Sequence, residues 1–411
     1  MVPRPRYRDL ARHPAGGRLG PRRVLTTTAQ DPRFPRVLHV VEAFGGGVFE
    51  VVRLLSEYLA ADGHPVAIAY GRRSETPEDV RAKIAPEVEL FPLPWDRRAP
   101  REQIAAARAL RRLAASWEHD VVHLHSSFAG VVGSLALPRS TPKVYTPHGY
   151  SFTMQSRSAS QKRIFKAIEW TTARGVDEIG AVSEAEARDA RQVVPAEKVV
   201  VVRNGIPELD DPPAGAPPER PGRQRAIAVG RITEQRQPAS AARILASVAD
   251  IADVSWVGGA GRGGIPESAV SAEGVPVTGW LSRSGVLSEL SRATVYLHWT
   301  AWDGQPLSIL EAMAEDVVVV ASDIEPCREI LGPRQVCADE AEASALIRRI
   351  LSDRGFREDL LASQRERSIL FGARRMAQEW RSVYERLAAP RPAALGAPTY
   401  QAEKETTDGI Q

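Results

Sequence analysis

Residues 294–323 read TVYLHWTAWDGQPLSILEAMAEDVVVVASD, and the fold turns on how this stretch is parsed. TVYLHW is a β-branched and aromatic run of strand length, and VVVVASD ends the stretch with a second, largely apolar one. Between them, PLSILEAMA has the apolar spacing of a helix, with Pro306 at the favoured first helical position. Strand, helix and strand in this order make a parallel crossover unit, and TAWDGQ becomes the loop at the carboxyl end of its first strand. Two acids are thereby placed: Asp303 in the loop, pointing into whatever cleft the strand ends form, and Glu311 inside the helix, with seven residues between them. A solvated helix face is the plain reading of Glu311, but its neighbours Leu310, Ala312 and Met313 are apolar, which argues against an incidental surface acid.

The same alternation runs outward in both directions. Upstream, RVLHVV (36–41), HPVAIAY, VELFPL, DVVHLH, KVYTPHG, DEIGAVS and KVVVVRNG read as strands, mostly separated by helical stretches such as REQIAAARALRRLAASW. The alternation stops at PELDDPPAGAPPERPGR (207–223), whose Pro and Gly content suits an interdomain linker. It restarts with RAIAVGR, DVSWVGG, TVYLHW, VVVVASD and QVCAD. The expected architecture is α/β: two doubly wound, Rossmann-like domains, 35–206 and 224–372, facing a deep interdomain cleft into which each offers its strand-end loops. A last helix, 373–388, follows the second sheet and is expected to pack back on the first domain. Residues 1–34 read as a disordered Arg-rich leader and 389–411 as a disordered tail.

Composition narrows the class of function. The 411 residues, 43% hydrophobic and 26% charged, describe a globular chain with an ample core. No apolar run nears the ~18 residues of a membrane span, and the N-terminus has no apolar signal region. Cys327 and Cys337 are too few for a disulfide framework or a metal knuckle, which fits a reducing, cytoplasmic setting. The net charge of +3 owes much to the arginines of the leader, and beyond it the signs are mixed, so no nucleic-acid footprint is present.

Three further elements can carry chemistry. FGGGVFEVV (44–52) sets glycines between the first strand and a helix, where backbone N–H groups can approach an anion or simply make a tight turn. It is neither a dinucleotide fingerprint nor a P-loop. VGRITEQRQP (229–238) places Arg231 and Arg236 at a strand's carboxyl end, where guanidinium groups suit a diphosphate. His123 and His125 share a strand face, but without a carboxylate or cysteine cluster nearby they do not make a metal site.

Together these motifs resemble retaining glycosyltransferases of the GT-B fold, family 4. The likeness rests on the acid-x7-acid register DGQPLSILE (303–311), on Arg231 and Arg236, and on the glycine turn. HLHSSFAG (123–130), YTPHGYSF (145–152), AVSEAE (181–186) and VVRNGI (201–206) extend it over about residues 36–388, in the manner of bacterial enzymes that build surface polysaccharides. The resemblance implies a nucleotide-diphosphate sugar donor, UDP- or GDP-linked, and a saccharide or lipid-linked saccharide acceptor. It implies no cofactor and no divalent metal, and leaves open a peripheral contact at the inner membrane face. Glu311 would bind the ribose hydroxyls and Asp303 the donor sugar, with Gly304, Pro306 and Leu307 completing that wall. Arg231 and Arg236 would hold the diphosphate, Gly46 and Gly47 would lend backbone donors, and His148 would stand beside the reacting carbon. His148, Asp303, Arg231 and Arg236 are thus the catalytic candidates. The acceptor would attack from the leaving-group face and the departing phosphate would take its proton.

Some positions depart from that pattern. Asp303 stands where Glu is usual, Arg236 where Lys is common, and SDIEPCRE (322–329) where a glycine pair is usual. Glu315-Asp316 replaces a small residue and Gly at the helix end, where Asp316 would take the left-handed conformation. Two other readings share this architecture: a nucleotide-sugar 2-epimerase, and a catalytically weakened sugar-nucleotide binder.

Overall fold

Each strand read from the sequence is present in the computed structural model, which describes residues 34–97, 99–210, 222–261 and 264–389. The first sheet holds β1 (Val37–Val41), β2 (Val66–Tyr70), β3 (Glu89–Pro92), β4 (Val121–His125), β5 (Lys143–Thr146), β6 (Glu178–Ala181) and β7 (Val199–Val201). Their order is β3-β2-β1-β4-β5-β6-β7. The second sheet holds β8 (Arg225–Val229), β9 (Asp253–Val257), β10 (Val295–His298), β11 (Val318–Ser322) and β12 (Val336–Cys337), in the order β12-β11-β10-β8-β9. The ladders of both sheets are parallel. Strands such as β1, β2 and β11 are buried along their whole length, which is why they are near-continuous apolar runs rather than alternating ones.

Strand order locates the ligand crevice. In the first sheet the chain winds outward from β1 to β3 and then returns to β4, so the order reverses between β1 and β4. In the second it reverses between β8 and β10. Loops on either side of such a switch point diverge and leave a cleft at the carboxyl ends. The loops concerned are the glycine turn after β1 and the segments after β8 and β10, which carry the motifs described above.

The closing helix, Ala373–Ala388, completes the first lobe although it follows the second sheet in sequence. Its Trp380, Val383 and Tyr384 pack with Val37, Val41 and Val121 of the first sheet and with Leu54 and Leu55 of the Gly46–Ala61 helix. Gly180 makes room for it, since a Cβ there would stand 2.1 Å from Trp380 Cη2. The chain passes between the lobes at two adjacent points. Ile206 N–H donates to Phe371 O at 2.9 Å, and Ala373 N–H donates to Ile206 O at 3.1 Å. Gly205 permits this approach, because a Cβ there would lie 2.3 Å from Gly372 O.

Two details differ from the sequence reading. The helix expected from Pro306 spans Leu307–Ala314, with Pro306 as its extended cap residue (ψ 113°). The first part of the proposed linker is ordered: Pro207–Leu209 is a short 3₁₀ turn whose Leu209 is buried among second-lobe residues. The rest of that linker over 211–221, the leader over 1–33 and the tail over 390–411 lie outside the described residues. Asp316 does take the left-handed conformation (φ 53°), and its carboxylate accepts from Arg365 Nε at 2.7 Å. Both cysteines are buried thiols, and burial pushes Cys337 up to about 12. Among the described residues no helix is long and apolar enough to cross a membrane.

Candidate active site

A cavity of about 550 Å³ opens between the two sets of strand-end loops. Its first-lobe wall starts with Gly46, the first residue of the Gly46–Ala61 helix, whose φ of 57° suits glycine. Gly47 follows and faces Leu307 across the cleft, with 3.7 Å from an added Cβ to Leu307 Cδ1. His148 comes two residues after β5 in the left-handed region (φ 53°), an uncommon conformation for a non-glycine residue that turns it onto the cavity wall. On the second-lobe side stand Arg236, Asp303, Gly304, Pro306, Leu307 and Glu311. Nine of the ten residues expected from the sequence therefore line one cavity.

Arg231 is the tenth and does not. It lies outside the lining, 45% exposed, with Nη1 3.9 Å from Glu75 Oε1 of the first lobe and its guanidinium over the Trp280 ring. The two arginines part company because Glu234–Arg236 forms a 3₁₀ turn closed by Gln237 in the left-handed region, which swings Arg236 back toward the end of β10. There Arg236 Nη1–H donates to His298 Nε2 at 2.7 Å, and Arg236 Nη2 lies 3.5 Å from Asp303 Oδ2.

The loop carrying Asp303 is held from several sides. Gln235 Nε2–H donates to Trp302 O at 2.6 Å, and Ala301 N–H donates to Gln235 O at 2.8 Å. Asn204 N–H donates to Gln305 Oε1 at 2.7 Å, tying the loop to the interlobe crossing. Burial pushes the Asp303 carboxyl up, but the Arg236 guanidinium and the Gly304 N–H, which donates to Oδ1 at 2.9 Å, pull it down, and the group is held below its ordinary value. His298 itself is pushed down to about 4 by burial and then by Arg236, so it is neutral. A neutral His298 that accepts from Arg236 at Nε2 donates from Nδ1 to Tyr296 Oη at 2.8 Å, and Tyr296 O–H in turn donates to Ser308 Oγ at 2.8 Å.

Glu311 sits in a different electrostatic setting. Burial pushes its carboxyl up to about 7, against the downward pull of Arg283. Arg283 Nη2 lies 3.2 Å from Glu311 Oε1, and Arg283 Nη1 lies 3.1 Å from Glu50 Oε2 in the first lobe. The sequence reading missed Arg283, Glu50 and His298. His298 had a signal, since it ends the strand that feeds the Asp303 loop. Arg283 had only a local one, the Ser282 cap at its helix start, and nothing in that segment announces a partner in the other lobe.

His123 and His125 are joined by a third histidine, His39. Among the described residues these three bring ring nitrogens within 4.8 Å of one another. Every ring nitrogen of the trio except His39 Nε2 is already hydrogen-bonded, to Tyr384, Thr146, His148 or a fellow member. The cluster therefore has few lone pairs to offer a cation.

A glycosyltransferase model accounts for each lobe. The model for Glycosyltransferase Family 4 matches residues 45–208, and that for Glycosyl transferases group 1 matches 223–353. The chain belongs to glycosyltransferase family 4. Curated relatives of this glycosyltransferase include the alpha-maltose-1-phosphate synthase of Mycolicibacterium smegmatis, 26% identical over 66% of the chain and 79% of the relative. Another is an uncharacterized 41.2 kDa protein in the cps region of Klebsiella pneumoniae, 25% identical over 72% of the chain and 83% of the relative. Among solved structures, sucrose-phosphate synthase from Thermosynechococcus elongatus superposes with a TM-score of 0.70 at 19% identity, covering 86% of this chain and 99% of that one. Anabaena Alr3699/HepE in complex with UDP and glucose gives 0.67 at 16% identity, covering 85% and 99%. The GT-B architecture follows from these likenesses and from the two parallel sheets. Membership of this family sets aside the nucleotide-sugar 2-epimerase reading.

Proposed function

We propose that this glycosyltransferase moves a sugar from a nucleotide-diphosphate sugar to a saccharide or lipid-linked saccharide acceptor with retention at the anomeric carbon. A role in building cell-surface polysaccharide or glycoconjugate, in the cytoplasm or at the inner membrane face, completes the reading. The observation that carries it is the convergence of Arg236, Asp303 and Glu311 on one cavity whose opposite wall is a glycine-rich helix start. A structural neighbour bound to UDP and glucose and a relative in a cps region add support.

In the free protein the charges of this site answer one another, Arg236 to Asp303 and Arg283 to Glu311 and Glu50. A donor would exchange these pairings for its own. Its diphosphate takes the Arg236 guanidinium and the backbone N–H groups at Gly46 and Gly47, where the helix dipole also favours negative charge. Its ribose diol offers two hydroxyl donors to Glu311, and the sugar hydroxyls meet Asp303 and the Gly304 backbone. As the bond to the nucleotide breaks, negative charge grows on the diphosphate at Arg236. Because that cation is still held by the buried His298 after the exchange, little reorganisation is needed as charge develops. The leaving phosphate then takes the acceptor's proton, so no separate base is required. Arg231 would join only by leaving Glu75.

The test is a thermal-shift and turnover screen of the purified protein against UDP-, GDP-, dTDP- and ADP-sugars, with Glu311→Ala alongside. Stabilisation by one donor, lost in the variant, together with slow release of free nucleotide is the expected result. Stabilisation without release or transfer would leave a sugar-nucleotide binder, and no stabilisation by any donor would overturn the assignment.

A further inference from the structure

Behind the cavity wall, His148 is the outer end of a row of three imidazoles. Its Nε2 lies 3.0 Å from His125 Nδ1, and His125 Nε2 lies 3.0 Å from His39 Nδ1. The His125 and His148 rings are stacked, 18° from parallel with centroids 5.3 Å apart. The topology builds this row. β1 and β4 pair His39 with His123 and Val41 with His125, so His39 and His125 are diagonal neighbours on one sheet face. β5 pairs Thr146 with His125, which leaves His148 two residues beyond the pair and turned back by its left-handed backbone.

The proton arithmetic of the row is restrictive. Burial pushes His39 down to about 3 and His148 to about 4, and His125 well below its ordinary value, so all three rings are neutral. Three neutral imidazoles carry three protons, of which the two links use one each. The third must sit at an end. If it sits on His148 Nδ1, every ring is protonated on Nδ1; if on His39 Nε2, every ring is protonated on Nε2. The tautomer of His148 is therefore not its own. At the inner end His39 Nε2 is buried without a hydrogen-bond partner, a cost that an apolar residue at that position would avoid. At the outer end Nδ1 has no partner among the described residues, on a ring that lines the cavity.

We propose that His125 and His39 are positioning residues for His148, holding its ring on the cavity wall in a tautomer shared by the whole row, so that Nδ1 presents one fixed polarity to a hydroxyl of the donor sugar. The proposal rests on the donor reading above, with the sugar at His148. The row ends in the core, so it carries no proton through to solvent and serves orientation alone.

The experiment has two parts. Long-range ¹H–¹⁵N correlation spectra of the histidine rings in the wild-type protein should show His39, His125 and His148 neutral at pH 7 and in one common tautomer. A charged ring, opposite tautomers within the row, or stoichiometric zinc retained through chelation would overturn it. In His125→Phe, kcat/KM for the sugar donor should fall about tenfold, the effect of one mis-set hydroxyl contact. Affinity for the free nucleoside diphosphate should be unchanged, and the His148 signals should split between both tautomers. A merely structural role would move the melting temperature or both affinities without splitting those signals, and equal transfer by variant and wild type would overturn the row. Should His125→Phe not fold, the wild-type spectrum still decides. If the wild type binds no nucleotide sugar at all, the donor reading fails instead, and the sugar hydroxyl with it.

Discussion

Glu311→Gln is expected to stabilise the free protein at alkaline pH while removing donor binding. The Glu311 side chain is 13% exposed, and burial raises its pKa from 4.5 to about 7 despite Arg283. The unfolded chain therefore releases this proton around pH 4.5 and the folded one near pH 7. Between those values the folded state binds more protons, so stability falls as pH rises. The contribution is intact below 4.5, is lost progressively up to about 7 and is flat above. At about 1.4 kcal/mol per pH unit, the penalty reaches roughly 3 kcal/mol by pH 8. Gln has the shape of the protonated acid and no charge to desolvate, so it escapes most of this. The gain should be about 3 kcal/mol at pH 8, or about 4 °C in melting temperature for a chain of this size, and under about 0.5 kcal/mol at pH 4.5. Denaturation of both proteins without nucleotide, across pH 4.5–8, measures it. A constant difference over that range, or a destabilised variant at pH 8, would falsify the view that Glu311 is held in the cavity at an energetic cost.

Further expectations follow from geometry. Arg236→Ala should lower kcat by roughly 10²–10³, as for loss of a donor aimed at developing charge, whereas Arg231→Ala, outside the cavity, should cost under about tenfold. Steady-state kinetics with the stabilising donor would show this, and the reverse order would restore Arg231 to the diphosphate. Trp380→Ala should cost about 3–5 kcal/mol, because the ring fills the space left by Gly180 in the first-lobe core. Urea titration would measure the loss, and a cost below about 1 kcal/mol would mean the closing helix is not part of that core.

The parts of this molecule with local signatures were legible in the sequence. Buried parallel strands are apolar on both faces, so runs such as VAIAY and VVVVAS announce themselves. Asp316 could be placed in the left-handed region because it stands where the resembled family ends this helix with Gly, and an Asp tolerates that conformation. What was hidden depends on distant pairing. The two arginines after β8 look alike in sequence, and only the turn at Gln237 decides which of them reaches the cavity. Glu329 accepts from the backbone N–H groups of Glu184 and Ala185 in the other lobe, at 2.8 and 2.7 Å, without any local sign that it does so. His39 lies in a strand whose composition gives no reason to single out one ring. Its place became clear only once the β1–β4 register set it diagonally to His125.

The closing helix has a consequence for synthesis. Trp380 and Tyr384 belong to the core of the first lobe, yet they are translated only after the whole of the second. The nascent first lobe must wait with that face of its sheet, Val37, Val41 and Val121, covered by the Gly46–Ala61 helix but not by the closing one throughout translation of the second. Premature termination anywhere in the second half thus leaves apolar surface exposed. Such products should be recognised by chaperones and proteases, which pulse-labelling of truncated chains would reveal as a sharp rise in half-life once residue 388 is included. The first lobe's core is therefore closed by residues 373–388, and not by the end of its own sheet.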